Sequence, residues 1–203
     1  MIIRIHPENP STRQILKVCD VLQKGGVVVY PTDTVYAFGC DIYQNKAVER
    51  IARLKGIKQQ KADFSFIFSD FSQLSDYARL VDSKVYKLMK SYLPGPYTFI
   101  LHARGNIPRI FQSRKKTIGI RIPDNNIARE IVKTLGHPIM TSSIHDEDEL
   151  TEYITDPELI HEKYRDRVDL VINGGYGRNV PSTVIDCTLD EPELLRQGIG
   201  EIE

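Results

Sequence analysis

Only three cysteines, Cys19, Cys40 and Cys187, occur in 203 residues, far apart and odd in number. That scarcity excludes a metal-binding or dithiol redox spacing and a disulfide-stapled scaffold. Free, mostly buried thiols in a reducing cytoplasm are expected instead. No apolar run approaches the roughly 18 to 20 residues that span a bilayer, so no membrane partner is expected. The start, Met-Ile-Ile-Arg-Ile-His-Pro, has no charged region followed by a long apolar one and does not read as a secretory leader. The common catalytic signatures are missing too. There is no Gly-rich phosphate loop, and Gly-Gly-Tyr-Gly at 174–177 lacks the required spacing after a strand and reads as a turn. His161-Glu162 has no second histidine four residues on, which removes the zinc-protease pattern. No serine or cysteine sits in a nucleophile elbow.

Acidic residues are absent from one long stretch. Between Ser83 and Pro123 there is no Asp or Glu, while Lys84, Lys87, Lys90, Arg104, Arg109, Arg114, Lys115, Lys116 and Arg121 all fall there. From Asp146 to Asp169 the balance reverses, with ten acids against three bases. The net charge is zero, so the asymmetry is one of distribution. A basic surface attracts phosphate, on a nucleotide or a nucleic acid; two solvated faces of opposite sign are the plainer alternative.

What is present is an ordinary globular composition, 41% hydrophobic and 27% charged. The length favours one domain over 1–203, burying roughly 70% of its unfolded surface. Ile2 to Ile5 reads as a strand. Ser11 caps a helix with Ile15, Leu16, Val18, Cys19 and Leu22 at helical spacing, stopped by Gly25-Gly26. Val27 to Tyr30 has no polar alternation and suits a strand buried on both faces. Asn45 caps a second helix that ends at Gly56, Ser83 to Tyr92 forms another, and Asp124 caps one that runs to Leu135. Asp156-Pro157 opens a further helix. Strands are expected at 64–68, 97–101, 118–122, 139–141, 168–172, 183–186 and 194–196. Helices and strands interleave, which makes the class α/β around a central sheet.

The candidate site residues are polar groups at the ends of these elements, where open α/β sheets bind ligands. Thr32, Thr34 and Tyr36 follow a buried strand and can orient a small polar substrate, or satisfy their own turn. Lys55 continues the inward stripe of Val48, Ile51 and Ala52, and either snorkels or points into a cleft. Arg121 alternates with Ile120 and Ile122, and suits a carboxylate, a phosphate or a surface ion pair. Ser143 ends a strand, Ser182 begins one, and Arg196 offers a further cation beside a flexible Gly198.

Taken in order, several segments resemble the YrdC family. They are Lys24 to Tyr36, Leu54-Lys55, Pro94 to Thr98, Ile120 to Pro123, Thr141 to Ser143, Pro181 to Asp186 and Leu195 to Gly198. The resemblance implies a twisted mixed α/β sheet with flanking helices and a basic concave cleft. It implies L-threonylcarbamoyladenylate synthesis from ATP, L-threonine and bicarbonate, with pyrophosphate released, in the threonylcarbamoyladenosine modification of tRNA. Mg²⁺ would arrive with the phosphates. Double-stranded RNA or nucleotide binding without synthase activity is the other function the family implies. By position, Lys55 and Arg196 meet the triphosphate, with Ser143 and Ser182 lining the cleft beside it. Thr32, Thr34 and Arg121 hold the amino acid, with Arg121 on its carboxylate. Arg114, Lys115 and Lys116 are the candidate RNA-binding residues.

The chain departs from the synthase pattern on the phosphate side. Synthases read Lys-x-Arg where this chain has Lys55-Gly56-Ile57, and Ser-x-Asn where it has Ser143-Ile144-His145. Four acids, Asp146 to Glu149, replace the small turn that follows. In these respects the chain resembles the YciO branch of the family more than the synthase branch.

Overall fold

The structure, a computed structural model, describes residues 1–56, 64–79, 81–105, 107–108, 111, 116–144 and 152–202. Ten strands, β1 (Ile2–Arg4), β2 (Val28–Tyr30), β3 (Ala37–Asp41), β4 (Ser65–Ile67), β5 (Tyr97–His102), β6 (Thr117–Arg121), β7 (Ile139–Ser143), β8 (Leu170–Asn173), β9 (Thr183–Asp186) and β10 (Glu193–Arg196), join among the described residues in the order 1-8-2-3-7-4-6-5-9-10. The sheet is mixed: β8 runs parallel to β1 and β2, β4 to β6, and β5 to β9, and the other pairs are antiparallel. The helices are α1 (Thr12–Gln23), α2 (Asn45–Leu54), α3 (Leu74–Tyr77), α4 (Ser83–Tyr92), α5 (Asn126–Leu135), α6 (Glu152–Thr155) and α7 (Pro157–Tyr164).

The apolar run at Val28, Val29 and Tyr30 is fully buried because β2 is paired on both edges and covered on both faces. One face carries Val29, Phe38, Phe66, Phe99, Ile120 and Met140 against α2, α4 and α7. The other packs Val28, Ala37, Ile67, Ile139 and Leu170 against α1 and α5. Since α1 and α5 cover only the β8–β2–β3–β7–β4 side, the second face of β6, β5 and β9 is not roofed by a described helix. Cys19 and Cys40 are buried in these cores, and Cys187 is half-buried and also free. Among the described residues no helix is long and apolar enough to cross a membrane.

Three expected caps are corrected. Ser11 does precede α1, but its side chain makes no capping bond; its carbonyl accepts from the Ile15 N–H instead. Gln44, not Asn45, stands before α2. Asn125, not Asp124, caps α5, its Oδ1 accepting from the Ala128 N–H at 3.0 Å. Asp124 is drawn away because its N–H donates to the Asp33 carboxylate at 3.0 Å. The Asp156-Pro157 start holds, with Asp156 accepting from the Glu158 N–H.

Candidate active site

Strand alternation builds the floor. Ile118, Ile120 and Ile122 enter the first core, so Gly119 and Arg121 face the other way. By the same alternation Ser65, Thr98, Thr141 and Ser182 share that second face. They are small and polar, which leaves room above the sheet where large apolar residues would fill it. The floor is internally bonded: Thr98 Oγ1 and Ser182 Oγ lie 2.8 Å apart. Tyr30 reaches across β3 to donate its hydroxyl to Thr141 Oγ1 at 2.6 Å. Gly39 permits the crossing, because a Cβ there would lie 2.7 Å from the Tyr30 ring.

The turn between β2 and β3 borders this floor. Thr32 Oγ1 donates to the Val35 carbonyl at 2.8 Å and accepts from the Thr34 N–H at 3.0 Å. The two threonine hydroxyls are 3.0 Å apart. Thr32 therefore shapes the turn, as an ordinary turn threonine does, while Thr34 Oγ1 also accepts from Arg121 Nη2 at 3.0 Å. The expectation that Tyr36 faces a substrate is corrected. Its hydroxyl donates to the Gly175 carbonyl at 2.7 Å and accepts from the Gly174 N–H, so it ties the 174–177 turn to β3. Burial pushes that hydroxyl up to about 12.

Arg121 is neither a surface residue nor a free cation. Its side chain is 6% exposed and its Nη2 lies 3.0 Å from Asp33 Oδ1, itself on a side chain 8% exposed. Burial holds the Asp33 carboxyl above the ordinary carboxylate value, opposed by the Arg121 charge and by backbone donors. Arg121 Nε is buried and, among the described residues, has no hydrogen-bond partner. Such a group costs about 1–3 kcal/mol until an acceptor reaches it. Asp33 lies between Thr32 and Thr34 in the turn between β2 and β3. The signal for it is chemical: an arginine buried in a sheet requires a carboxylate, and Asp33 is one of two acids, with Asp186, inside the same set of motifs.

Arg196, at the end of β10, grips Ser182. Its Nε and Nη2 donate to the Ser182 carbonyl at 3.1 and 2.8 Å, and Nη2 approaches Ser182 Oγ at 3.4 Å. Burial first and the Arg121 charge second hold its guanidinium below the ordinary value. Gly198, expected from sequence to be flexible, is instead a close approach: a Cβ would collide with the backbone of Pro181 and Ser182. Lys55 stands at the end of α2 and donates from Nζ to the Ser143 carbonyl at 2.9 Å. Thus Thr32, Thr34 and Arg121 are brought together, as are Ser182 and Arg196, and Lys55 with Ser143. Ser143 reaches the first group through β3, where Ala37 is its pair.

Two concavities of about 320 and 430 Å³ lie elsewhere, the first lined by Ser69, Asp70, Lys90 and Arg129, the second by Leu74, Ala78, Val81 and Tyr86. Neither lining includes a candidate site residue. Among the described residues no cluster of three His, Cys, Asp or Glu is placed to hold a metal. Arg114, Lys115, Ile57, His145 and Asp146 to Glu149 lie outside the described residues; Lys116 is described, exposed, with φ at 51°.

A ten-stranded mixed sheet with flanking helices, carrying Arg121 and small polar residues on the second face of β6, β5 and β9, defines a mixed α/β protein with a candidate site there. The Sua5/YciO/YrdC family model, described as telomere recombination, matches residues 20–198, and the chain belongs to that family. It is 42% identical over 201 residues to the uncharacterized protein YciO of Escherichia coli (strain K12), covering 98% of this chain and 96% of that one. The crystal structure of E. coli YciO superposes with a TM-score of 0.91 over 99% of this chain and 97% of that chain. The threonylcarbamoyl-AMP synthase of Pyrococcus abyssi (strain GE5 / Orsay) is 31% identical over 188 residues, which are 90% of this chain and 54% of that protein. The crystal structure of P. abyssi Sua5 complexed with L-threonine superposes with a TM-score of 0.86 at 29% identity, over 98% of this chain and 57% of that chain.

Proposed function

We propose that this cleft binds ATP and L-threonine and, with bicarbonate, forms threonylcarbamoyl-AMP for the threonylcarbamoyladenosine modification of tRNA. The observation that carries the reading is Arg121: buried, aimed by Asp33 and Thr34, with its Nε, among the described residues, without a hydrogen-bond partner. A carboxylate meets that need with a charge-assisted bond. The family relatives named threonylcarbamoyl-AMP synthase, and a solved relative complexed with L-threonine, support the choice of amino acid.

The chemistry asks little of side-chain reactivity. The threonine amine adds to carbon dioxide derived from bicarbonate and loses a proton, giving a carbamate. A carbamate oxygen then attacks the α-phosphorus, the bond to the bridging oxygen breaks, and pyrophosphate leaves. The protein's part is to hold the reactants together and balance charge. Thr32, Thr34 and Arg121 form the amino-acid side; Lys55, Ser143, Ser182 and Arg196 form the ATP side. Mg²⁺, if used, comes with the phosphates. Incubation with ATP, L-threonine and labelled bicarbonate should yield labelled threonylcarbamoyl-AMP and pyrophosphate, each dependent on all three substrates. Absence of both products under conditions where ATP and threonine bind would remove the synthase reading.

Duplex-RNA binding is the second reading. It is favoured by the exposure of Lys84, Lys87, Lys90 and Lys116 within the acid-free stretch. Such binding would follow backbone shape and weaken steeply with salt.

A further inference from the structure

We propose that Asp33 determines which ligands the Arg121 subsite accepts: together the two residues form a charge-balanced pair that takes a zwitterionic amino acid and rejects a simple carboxylate. The inference rests on the amino-acid reading of this subsite and assigns a residue and a selection rule that the reading does not contain.

Asp33 and Arg121 are both more than nine-tenths buried and in direct contact. Their charges cancel. A bare anion entering this pair leaves one uncompensated negative charge beside two buried side chains, which is unfavourable. A zwitterion adds no net charge, so its two ends can be matched separately. The groups for both ends are present. Arg121 Nε is buried and, among the described residues, unpartnered, which suits the ligand carboxylate. A carboxylate such as Asp33 can accept about four hydrogen bonds. The Arg121 Nη2 and the Asp124 N–H already reach Asp33. Acceptor capacity therefore remains for a further donor, which suits the ligand ammonium. Arg196 is exposed, so solvent screens its charge, and its guanidinium is engaged with the Ser182 carbonyl. Thr34 Oγ1 bonds the same Nη2 as Asp33, so the guanidinium plane is held from two sides and its Nε edge keeps one direction.

The test is calorimetric titration of L-threonine, its deaminated analogue β-hydroxybutyrate, and L-threoninamide into the wild type and Asp33→Asn. Wild type should bind threonine on the order of ten- to a hundredfold tighter than either analogue, the span of one charged hydrogen bond. In Asp33→Asn the preference should invert toward β-hydroxybutyrate, since the Arg121 charge is no longer cancelled. A purely structural role for Asp33 would weaken all three ligands together. Wild type binding β-hydroxybutyrate as tightly as threonine overturns the selection rule without any variant being needed, and so does a folded Asp33→Asn with unchanged preference. ATP binding and thermal unfolding of Asp33→Asn report whether it is folded. Wild type that binds ATP but none of the three ligands overturns the amino-acid reading itself, and this inference with it.

Discussion

Arg121 and Arg196 project from one face of the sheet toward the same space. Arg196 pairs with Val184, Val184 pairs with Thr98, and the strand ending at Arg121 lies beside that of Thr98. Three strand spacings, about 14 Å, separate the backbones. Burial first, and the Arg121 charge second, hold the Arg196 guanidinium below its ordinary value.

Removing Arg121 should cost stability as well as binding. Arg121→Ala leaves Asp33 buried without its partner, and a broken buried pair costs about 3–5 kcal/mol. The charge-neutral double variant, Arg121→Met with Asp33→Asn, should recover most of that loss. Urea denaturation reads both. A single-variant loss below about 1 kcal/mol would mean that the pair is solvated.

Asp33 also gives a sign for pH. Its folded-state pKa is raised above the ordinary 3.8, mainly by burial. Its contribution to stability is therefore full below 3.8 and is lost as pH rises through the raised value. Measured as the difference between wild type and Asp33→Asn, stability should shift in favour of wild type as pH is lowered through the window just above 3.8. A difference that is flat with pH would contradict the burial of this carboxyl.

The Tyr30 crossing is a packing prediction. Gly39→Ala places a methyl group 2.7 Å from the Tyr30 ring in a filled core. Overpacking of this kind costs about 1–3 kcal/mol. Tyr30→Phe, which only unpairs Thr141 Oγ1, should cost about 1 kcal/mol. Denaturation midpoints with unchanged slopes would check both.

On the ATP side, Lys55→Ala and Arg196→Ala should each weaken ATP on the order of tenfold to a hundredfold, the value of a charged hydrogen bond. Threonine affinity should change little in Lys55→Ala. ATP affinity unchanged in both variants would move the triphosphate elsewhere. Because Ile57 and His145 stand where synthases have arginine and asparagine, the double variant Ile57→Arg, His145→Asn should raise pyrophosphate release at constant threonine affinity. No gain would place the rate limit outside the phosphate side.

The RNA reading has its own test in salt. Replacing Arg114, Lys115 and Lys116 by alanine should flatten the dependence of duplex-RNA affinity on ionic strength, by roughly 0.7–0.9 in log–log slope for each phosphate no longer neutralised. Binding with no salt dependence in the wild type would exclude this surface.

Local chemistry alone settled much of this protein. The apolar run at 28–30, the cap at Asp156 before Pro157, the stop at Gly136 and the Ser83–Tyr92 helix follow from propensity and backbone geometry within a few residues. The ordered motifs supplied two candidate sets, Thr32, Thr34 and Arg121 on one side and Lys55, Ser143, Ser182 and Arg196 on the other. Periodicity could say that Arg121 faces away from Ile120, but not what it meets there. Its partner, Asp33, lies 88 positions earlier and is set against it only because the turn after β2 borders the face on which β6 displays it. The Asp124 N–H is drawn to the same carboxylate, which is why local capping rules misplaced the start of α5. Gly198 was read as freedom and proved to be a close approach, because a glycine's missing side chain looks the same in sequence whether it serves a turn or tight packing. Pairing of charges across the sheet depends on strand order, and strand order is a property of the folded chain that no window of sequence contains.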